Sequence, residues 1–387
     1  MKKKIIIFGS TGSIGKSLLK IIKKNPNKYD IKLISGNKNY KLLLKQAQKF
    51  NIKKIIIKNN SSYKKLKEIN NSKQIKIYNN YDCLNKIFYN KEIDYTMCAI
   101  SGLEGLVPIL KIISFTKEIA IANKESIICA WNLINKQLNK FKTKFIPVDS
   151  EHFSVWSSIN LSNPNINKIY LTASGGPFYK KKFINLKNIK LSEALNHPTW
   201  KMGKKISIDS ATLMNKIFEI IEAKKIFKLR YNQLKILIHP KSYIHAIIKF
   251  ETGFIKLIAH DTDMRIPIFN SLHNNLDMKF NSKLININKL NNLNLSTPSS
   301  INYPLMKILK KLPNKDSLFE TVIVSANDYL VDLFFKKKIK YNQITTLLLK
   351  MLNLNDVKKY KLRYPRNLNM ILNTKKFTIN KLNQLIF

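Results

Sequence analysis

The scarce acidic residues mark the first candidate site. Lysine and arginine together number 69, whereas aspartate and glutamate number only 23. Asp149 and Glu151 follow an apolar segment, and on an extended segment residues i and i+2 project to the same face, so these two are predicted to converge. Close carboxylates repel each other unless a cation lies between them, and oxygen ligands suit Mg²⁺ or Mn²⁺. The alternative is a solvated pair of surface acids.

A third acid belongs to a predicted long helix, residues 211–227, which Asp209 or Ser210 could cap. Spacing of i, i+1 and i+4 places an amide, a cation and a carboxylate on one side of its first turns: Asn215, Lys216 and Glu219. Such a face suits a phosphorylated polyol bound to a metal. Glu222, one turn later, is predicted to be a helix-surface charge.

Two glycine-rich turns could hold phosphates. Residues 9–15, GSTGSIG, follow a predicted strand and open a helix, so their backbone could approach a pyrophosphate at the helix start. Ser174 begins a second turn, SGGPF, whose amides and hydroxyl could face a phosphate. The loop HPTWKMG, residues 197–203, is either packed core or a lid over a substrate.

The second predicted strand indicates which dinucleotide would bind. An NAD site usually places an acid there for the ribose 2′-hydroxyl. Here residues 35–39 are SGNKN, with no acid, and Lys38 could meet a 2′-phosphate, which favours NADPH. The alternative is that Lys38 is one more of the many lysines.

The elements that must position these residues alternate between strand and helix. The predicted buried strands of the first third are residues 5–8, 31–34, 55–57, 95–100, 118–122 and 144–148. This alternation favours an α/β fold with a Rossmann-type, doubly wound parallel sheet. The predicted division is an NADPH-binding domain (1–149), an α+β catalytic domain (150–274), a linker (275–303) and a C-terminal helical bundle (304–387).

The net charge of +46 first suggests a nucleic-acid partner. Of the basic residues, however, 65 are lysine and four are arginine, whereas nucleic-acid sites favour arginine. The abundance of Lys, Ile and Asn is typical of a coding bias toward A and T.

No apolar run reaches membrane-helix length, and the apolar stretch near the start is too short for a signal peptide. Three cysteines without a CxxC pair favour reduced thiols and a cytoplasmic location.

Six motifs in this order resemble the 1-deoxy-D-xylulose 5-phosphate reductoisomerase family. They are GSTGSIG (9–15), ANKES (122–126), PVDSEH (147–152), SGGPF (174–178), HPTWKMG (197–203) and DSATLMNK (209–216). The resemblance implies an enzyme of non-mevalonate isoprenoid biosynthesis that rearranges a phosphorylated ketose and reduces the product with NADPH. It also implies a divalent cation, a homodimer, and a mobile lid that includes Trp200 and Met202. Ile217 departs from the family pattern, which has a glycine after Asn-Lys.

The resemblance also assigns roles to individual residues. The implied metal ligands are Asp149, Glu151 and Glu219. The implied substrate contacts are Lys124, Ser150, Glu151, Ser174, His197, Ser210, Asn215, Lys216 and Glu219, of which Lys124, Glu151 and His197 are expected to be catalytic. The implied nucleotide contacts are Thr11, Gly12, Ser13, Ile14, Gly36, Asn37, Lys38, Asn39, Asn123, Glu125 and Gly203. Two alternatives stay open here: a basic nucleic-acid-binding protein, and an NADP-dependent dehydrogenase of another sugar phosphate.

Overall fold

The computed structural model describes residues 1–70, 74–159, 165–200, 202–273 and 278–387. Its strands are β1 Lys3–Phe8, β2 Tyr29–Gly36, β3 Lys54–Ile57, β4 Lys76–Tyr78, β5 Ile93–Cys98, β6 Thr116–Ile121, β7 Lys144–Pro147, β8 Ile166–Ala173, β9 Leu234–Ile238, β10 Ile244–Phe250 and β11 Ile255–Ala259. Its α-helices are α1 Ser13–Lys24, α2 Tyr40–Lys49, α3 Asn60–Ile69, α4 Leu84–Ile87, α5 Leu106–Ile112, α6 Lys124–Phe141, α7 Ser150–Ser158, α8 Leu191–Leu195, α9 Lys204–Ala211, α10 Met214–Phe227, α11 Arg265–Leu272, α12 Ile287–Asn291, α13 Leu318–Phe335, α14 Tyr341–Leu352, α15 Asn355–Lys358 and α16 Leu368–Ile386. Short 3₁₀ helices are Pro26–Lys28, Leu103–Gly105, Ile113–Phe115, Phe183–Leu186, Tyr231–Gln233, Pro304–Lys311 and Lys359–Leu362.

The contacts divide the chain into two compact units, both interrupted in sequence. The first unit comprises Met1–Ser126, Leu133–Phe153 and Met264–Asn281. The second comprises Ile127–Asn132, Ser154–Asp263 and Ser282–Phe387. The four consecutive segments predicted from the sequence do not include such interruptions, and their functional assignment stays a prediction.

The first unit is built on a seven-stranded parallel sheet in the order β4-β3-β2-β1-β5-β6-β7. The apolar run Ile5–Phe8 is completely buried in β1, as expected when helices cover both faces of a parallel sheet. The chain reverses its direction of travel across the sheet between β1 and β5. Ligands bind at the carboxyl ends of the strands at such a reversal.

The second unit contains a four-stranded sheet in the order β11-β10-β8-β9. β10 is antiparallel to both β8 and β11, whereas β9 is parallel to β8. Helix α10 covers this sheet through Ile220 and Ala223, which join the buried side chains of β8 to β10 in one core. The remaining helices include α13, α14 and α16, which form the helical C-terminal region.

The predicted fold class is confirmed: an α/β first unit, an α+β centre and a helical end. The short edge strand β4 was missed because Lys76–Tyr78 offers only three residues of pattern. The predicted single helix over 211–227 is wrong at its start. Leu213 adopts a left-handed conformation (φ 64°), so α9 ends and α10 begins there, and Asp209 and Ser210 lie within α9 instead of capping α10.

Within the described part of the chain, no helix has both the length and the apolar character needed to span a membrane. The three cysteines are free and buried, in agreement with the predicted reduced thiols.

Candidate active site

The glycine turn after β1 is shaped for close backbone approach. Gly9 has φ 81°, and a Cβ there would lie 2.6 Å from the carbonyl oxygen of Ala99. A Cβ on Gly15 would lie 2.5 Å from the carbonyl oxygen of Gly9. Helix α1 begins after Gly12 without a side-chain cap, so its first N–H groups could face an anion. This cradle fits a dinucleotide pyrophosphate.

The predicted nucleotide loops of the first unit lie side by side. The N–H of Gly9 donates to Ser35 Oγ at 3.1 Å at the end of β2. A Cβ on Gly36 would stand 3.5 Å from Thr11 Cγ2. Lys38 is exposed just beyond, where a 2′-phosphate could reach it. The structure therefore brings together the two predicted segments 11–14 and 36–39.

Two predicted nucleotide contacts already have structural roles. Asn39 Oδ1 accepts the N–H of Leu42 and caps α2. Asn123 Oδ1 caps α6 through the N–H of Ser126 at 2.6 Å, and its Nδ2 donates to the carbonyl oxygen of Gly102 at 2.7 Å. These side chains fix the conformation of their loops, whereas direct contact with a nucleotide stays a prediction. Nucleotide contact also stays a prediction for Glu125, which is buried in the first turn of α6, and for Gly203, which belongs to the second unit.

The acidic part of the first unit lies at the ends of β6 and β7. Asp149 Oδ2 pairs with Lys124 Nζ at 2.9 Å, and Asp149 Oδ1 lies 3.0 Å from Nδ1 of the buried His152. The predicted convergence of Asp149 and Glu151 is confirmed, since their carboxylate oxygens lie within 4.8 Å of each other, but the extended segment that was to produce it is wrong. Glu151 lies in the first turn of α7, because the Asp149 carboxylate accepts the N–H of Glu151 at 3.3 Å where that helix begins. Ser150 Oγ donates to Glu151 Oε2 at 2.6 Å.

Three predicted substrate contacts of the second unit meet around one imidazole. His197 Nε2 lies 2.9 Å from Ser174 Oγ and 3.1 Å from Ser210 Oγ. Its Nδ1 accepts the N–H groups of Thr199 (3.2 Å) and Trp200 (3.0 Å), so Nε2 carries the proton of the neutral ring. The ring therefore donates toward the two hydroxyl oxygens, and all three groups are prearranged for a ligand rich in oxygen.

Burial lowers the pKa of His197 from 6.5 to about 4, so the ring is neutral at neutral pH. As pH falls, the His197 imidazole of the unfolded chain binds a proton near pH 6.5, whereas that of the folded protein binds one only near pH 4. The stability contributed by neutral His197 is therefore present above pH 6.5 and is lost as pH falls from 6.5 toward 4. We expect the free energy of unfolding of the wild type to fall over this window relative to His197→Gln, more gently than ~1.4 kcal/mol per pH unit. Urea titrations at several pH values measure this difference, and a pH-independent difference would contradict the assignment.

The turn that contains Ser174 packs its backbone against the backbone of α9. Gly176 has φ 66°, and a Cβ there would lie 2.9 Å from Ala211 Cα and 3.0 Å from the carbonyl oxygen of Ser210. The N–H of Gly176 also donates to Ser174 Oγ at 3.0 Å. The glycine thus sets the spacing between Ser174 and Ser210.

Tyr303 supports the same turn, and sequence reasoning missed it. Its hydroxyl donates to the carbonyl oxygen of Gly175 at 2.8 Å, and its side chain is buried in the core of the second unit. Tyr303 ends the segment that was predicted to be a linker, and that segment also includes helix α12.

The amide, cation and carboxylate predicted on α10 do lie together. Asn215 Nδ2 donates to Glu219 Oε1 at 2.5 Å, and Lys216 Nζ pairs with Glu219 Oε2 at 2.5 Å. Ile217, the departure from the family pattern, is fully buried in the core. The prediction that Glu222 is a surface charge is wrong, because it is only 1% exposed on the buried side of α10.

The loop 197–203 rests on the second unit's sheet. Thr199 Oγ1 lies 3.1 Å from Ser242 Oγ, and the Trp200 ring meets His245 edge-on at 5.9 Å between centroids. Lys201 lies outside the described residues. The predicted movement of this loop as a lid stays a prediction.

Known proteins of one enzyme family match this chain over almost its whole length. The family models for 1-deoxy-D-xylulose 5-phosphate reductoisomerase match residues 5–131, and for its C-terminal domains residues 145–227 and 260–380. A curated protein of that name from Pelagibacter ubique is 56% identical over 385 residues, covering 99% of both chains. The chain belongs to the 1-deoxy-D-xylulose 5-phosphate reductoisomerase family. A relative of the same name from Phocaeicola vulgatus is 36% identical and covers 88% of this chain and 89% of its own.

Solved reductoisomerase structures share the fold. The enzyme from Zymomonas mobilis in complex with NADPH is 29% identical, with a TM-score of 0.87 over 100% of this chain and 99% of its own. A reductoisomerase in complex with NADPH, fosmidomycin and magnesium is also 29% identical, with a TM-score of 0.91 over 99% and 98% of the two chains.

Proposed function

We propose that this chain performs its family's reaction with the residues described above. It is an NADPH- and divalent-metal-dependent oxidoreductase that converts 1-deoxy-D-xylulose 5-phosphate into 2-C-methyl-D-erythritol 4-phosphate. Membership of the family over the whole chain supports the activity. The observation that carries the site assignment is the cluster of Ser174, His197 and Ser210, in which one neutral imidazole aligns two hydroxyls.

We propose that Asp149, Glu151 and Glu219 hold the cation. Carboxylate oxygens are the ligands that Mg²⁺ and Mn²⁺ prefer, so the donor set fits. A bound divalent cation would polarise substrate oxygens as a Lewis acid. Lys124, which is 7% exposed and pairs with Asp149, adds positive charge beside these acids and could move a proton to a substrate oxygen.

The substrate phosphate is assigned to the hydroxyls of Ser174 and Ser210, the amide of Asn215 and the ammonium of Lys216. The imidazole of His197 donates a hydrogen bond without adding charge. Anchoring the phosphate away from the reacting carbons would let binding energy orient those carbons. Ser150 and Glu151, whose side chains share a hydrogen bond, are proposed as further substrate contacts on the strength of the family resemblance.

The nucleotide is assigned to Thr11, Gly12, Ser13 and Ile14 at the start of α1 and to residues 36–39 at the end of β2. The glycine cradle described above supports this assignment. Asn123, Glu125 and Gly203 are proposed as further contacts. NADPH supplies the hydride for the reduction, and Lys38 would favour it over NADH by pairing with the 2′-phosphate.

A single assay tests the activity. Purified protein should consume NADPH only when 1-deoxy-D-xylulose 5-phosphate and Mg²⁺ or Mn²⁺ are both present. Turnover of a different sugar phosphate in its place would favour the rival dehydrogenase. Salt-sensitive binding to DNA without turnover would favour the nucleic-acid-binding alternative.

We also propose that the chain works in the cytoplasm as a homodimer. The edge strand β11 exposes apolar side chains: Ile255 is 55% and Leu257 51% exposed, and the neighbouring Phe254 is 76% exposed. Exposed apolar edge strands are covered in stable proteins, and a second copy of this strand is the simplest cover.

Charge on this edge is expected to separate the dimer. Leu257→Lys should shift the sedimenting species from twice the chain mass toward one chain mass, because lysine side chains would face each other across the edge. Leu362→Lys is the matched control, since Leu362 is 92% exposed in the 3₁₀ helix Lys359–Leu362. A dimer that survives Leu257→Lys unchanged, or a monomeric wild type, would contradict the proposal.

A further inference from the structure

A buried carboxylate outside the predicted contacts lies one residue from the proposed phosphate site, the cluster of Ser174, His197 and Ser210. Asp209 is 2% exposed in α9, one residue before Ser210. Its Oδ1 accepts a hydrogen bond from Asn327 Nδ2 at 2.7 Å, and Asn327 is fully buried in α13. Helix α13 therefore holds α9 at this residue.

The other oxygen of Asp209 is held from its own helix. Lys205 Nζ lies 3.0 Å from Asp209 Oδ2, one turn earlier in α9, and 2.9 Å from Asp328 Oδ1 in α13. Lys205 stands in the first turn of α9, directly after the loop 197–203. Both ends of α9 are thus tied to α13, by an amide at Asp209 and by an ion pair at Lys205.

The residues that follow Asp209 link the end of α9 to the proposed phosphate site and to the start of α10. Ser210 reaches His197 Nε2 at 3.1 Å, and its carbonyl oxygen closely faces Gly176. Leu213 then takes its left-handed conformation (φ 64°), and α10 begins. A rotation of α9 about its axis would move the Ser210 hydroxyl and change the start of α10, which carries Lys216.

We propose that Asp209 and Asn327 are positioning residues for the substrate phosphate. Their hydrogen bond fixes the rotation of α9, and through it the Ser210 hydroxyl; neither residue touches the substrate. A hydrogen bond to a buried charged group is among the stronger kinds, so the contact can hold a helix in one setting. This inference rests on the proposed phosphate site and adds to it a control element in α13.

The test combines single variants with an exchanged pair. Asn327→Leu keeps the side-chain size but removes the donor, and is expected to raise the KM for 1-deoxy-D-xylulose 5-phosphate about tenfold or more. The kcat and the KM for NADPH should change less than about threefold. In the double variant Asp209→Asn with Asn327→Asp, the amide at 209 can donate to position 327 and its oxygen can still accept from Lys205. This exchange should return the KM for the ketose phosphate most of the way to the wild-type value.

The control lies on the same helix, α13, but outside this network. Asp332→Asn removes an ion pair of α13 with Lys336 that involves no residue of α9, and should leave the KM for the ketose phosphate unchanged. A purely structural role for Asn327 predicts less folded protein and a lower apparent kcat at unchanged KM. If Asn327→Leu does not fold, the milder single variant Asp209→Asn replaces it, with a smaller expected rise in KM.

Binding of inorganic phosphate separates this inference from the proposed function. Calorimetric titration should give a weaker phosphate affinity for Asn327→Leu or Asp209→Asn than for the wild type or the exchanged pair. Absence of turnover by the wild type would overturn the proposed function, while phosphate affinity would still report on positioning. An unchanged KM and phosphate affinity in the folded single variants, or no recovery in the exchanged pair, would overturn the inference.

Discussion

Glu219→Gln is expected to lower kcat/KM by about 10³-fold, equivalent to roughly 4 kcal/mol of transition-state stabilisation. Glu219 is fully buried, and its two oxygens meet Asn215 and Lys216 at 2.5 Å each. Glutamine keeps the shape but removes the negative charge that would hold a cation. It also turns a donor toward either the amide or the ammonium, both of which are themselves donors.

The measurement is NADPH consumption as a function of Mn²⁺ concentration. Glu251→Gln is the control, because Glu251 is an exposed acid of the same unit, and it should leave turnover unchanged. In Glu219→Gln the affinity for Mn²⁺ should fall, so that half-maximal turnover requires a higher Mn²⁺ concentration. The KM for NADPH should stay unchanged. Full turnover by this variant, or by the wild type after chelation of metal, would remove Glu219 from the metal site.

Gly176→Ala is expected to raise the KM for the ketose phosphate at least tenfold and to reduce the free energy of unfolding by about 1–3 kcal/mol. Two causes act together. The left-handed φ of 66° disfavours any residue with a Cβ, and that Cβ would press on Ala211 Cα at 2.9 Å. Relief requires the turn to move away from Ser210, which separates the two hydroxyls assigned to the phosphate.

The chain provides a matched control for the conformational part. Gly253 has φ 89°, but a Cβ there would meet nothing within 4 Å. Gly253→Ala should therefore cost stability through its backbone alone, with the KM unchanged. Thermal denaturation and steady-state kinetics of both variants distinguish these effects. Equal changes in KM would show that the contact with α9 does not position the phosphate site.

The sequence was informative where local chemistry determines structure. Glycines at 9 and 15 predicted the cradle after β1, since only residues without a Cβ fit there. The spacing of Asn215, Lys216 and Glu219 predicted one helical face. Periodicity failed at Leu213, because an apolar residue in a left-handed conformation leaves the apolar pattern continuous while the helix breaks.

Apart from the substrate contacts implied by the family resemblance, long-range contacts could not be predicted from the sequence. The hydrogen bond between Asp209 and Asn327 joins residues 118 positions apart, and nothing in either segment indicates the other. The Tyr303 contact with Gly175 is of the same kind. The extended face proposed for Asp149 and Glu151 failed for a local reason, since the Asp149 carboxylate starts a helix that the short motif did not reveal.

The interrupted first unit has a consequence for how the protein is made. Its sheet is complete once β7 has been synthesised, yet α11 and its neighbours, residues 264–281, also belong to it. Lys3 Nζ donates to the carbonyl oxygen of Leu272 at 2.9 Å, and the Tyr95 hydroxyl lies 2.8 Å from Ser271 Oγ. On the ribosome, the first unit therefore lacks its last helix, α11, until more than a hundred further residues have been synthesised after β7. Its apolar flank stays uncovered during that interval, when a growing chain is most exposed to aggregation.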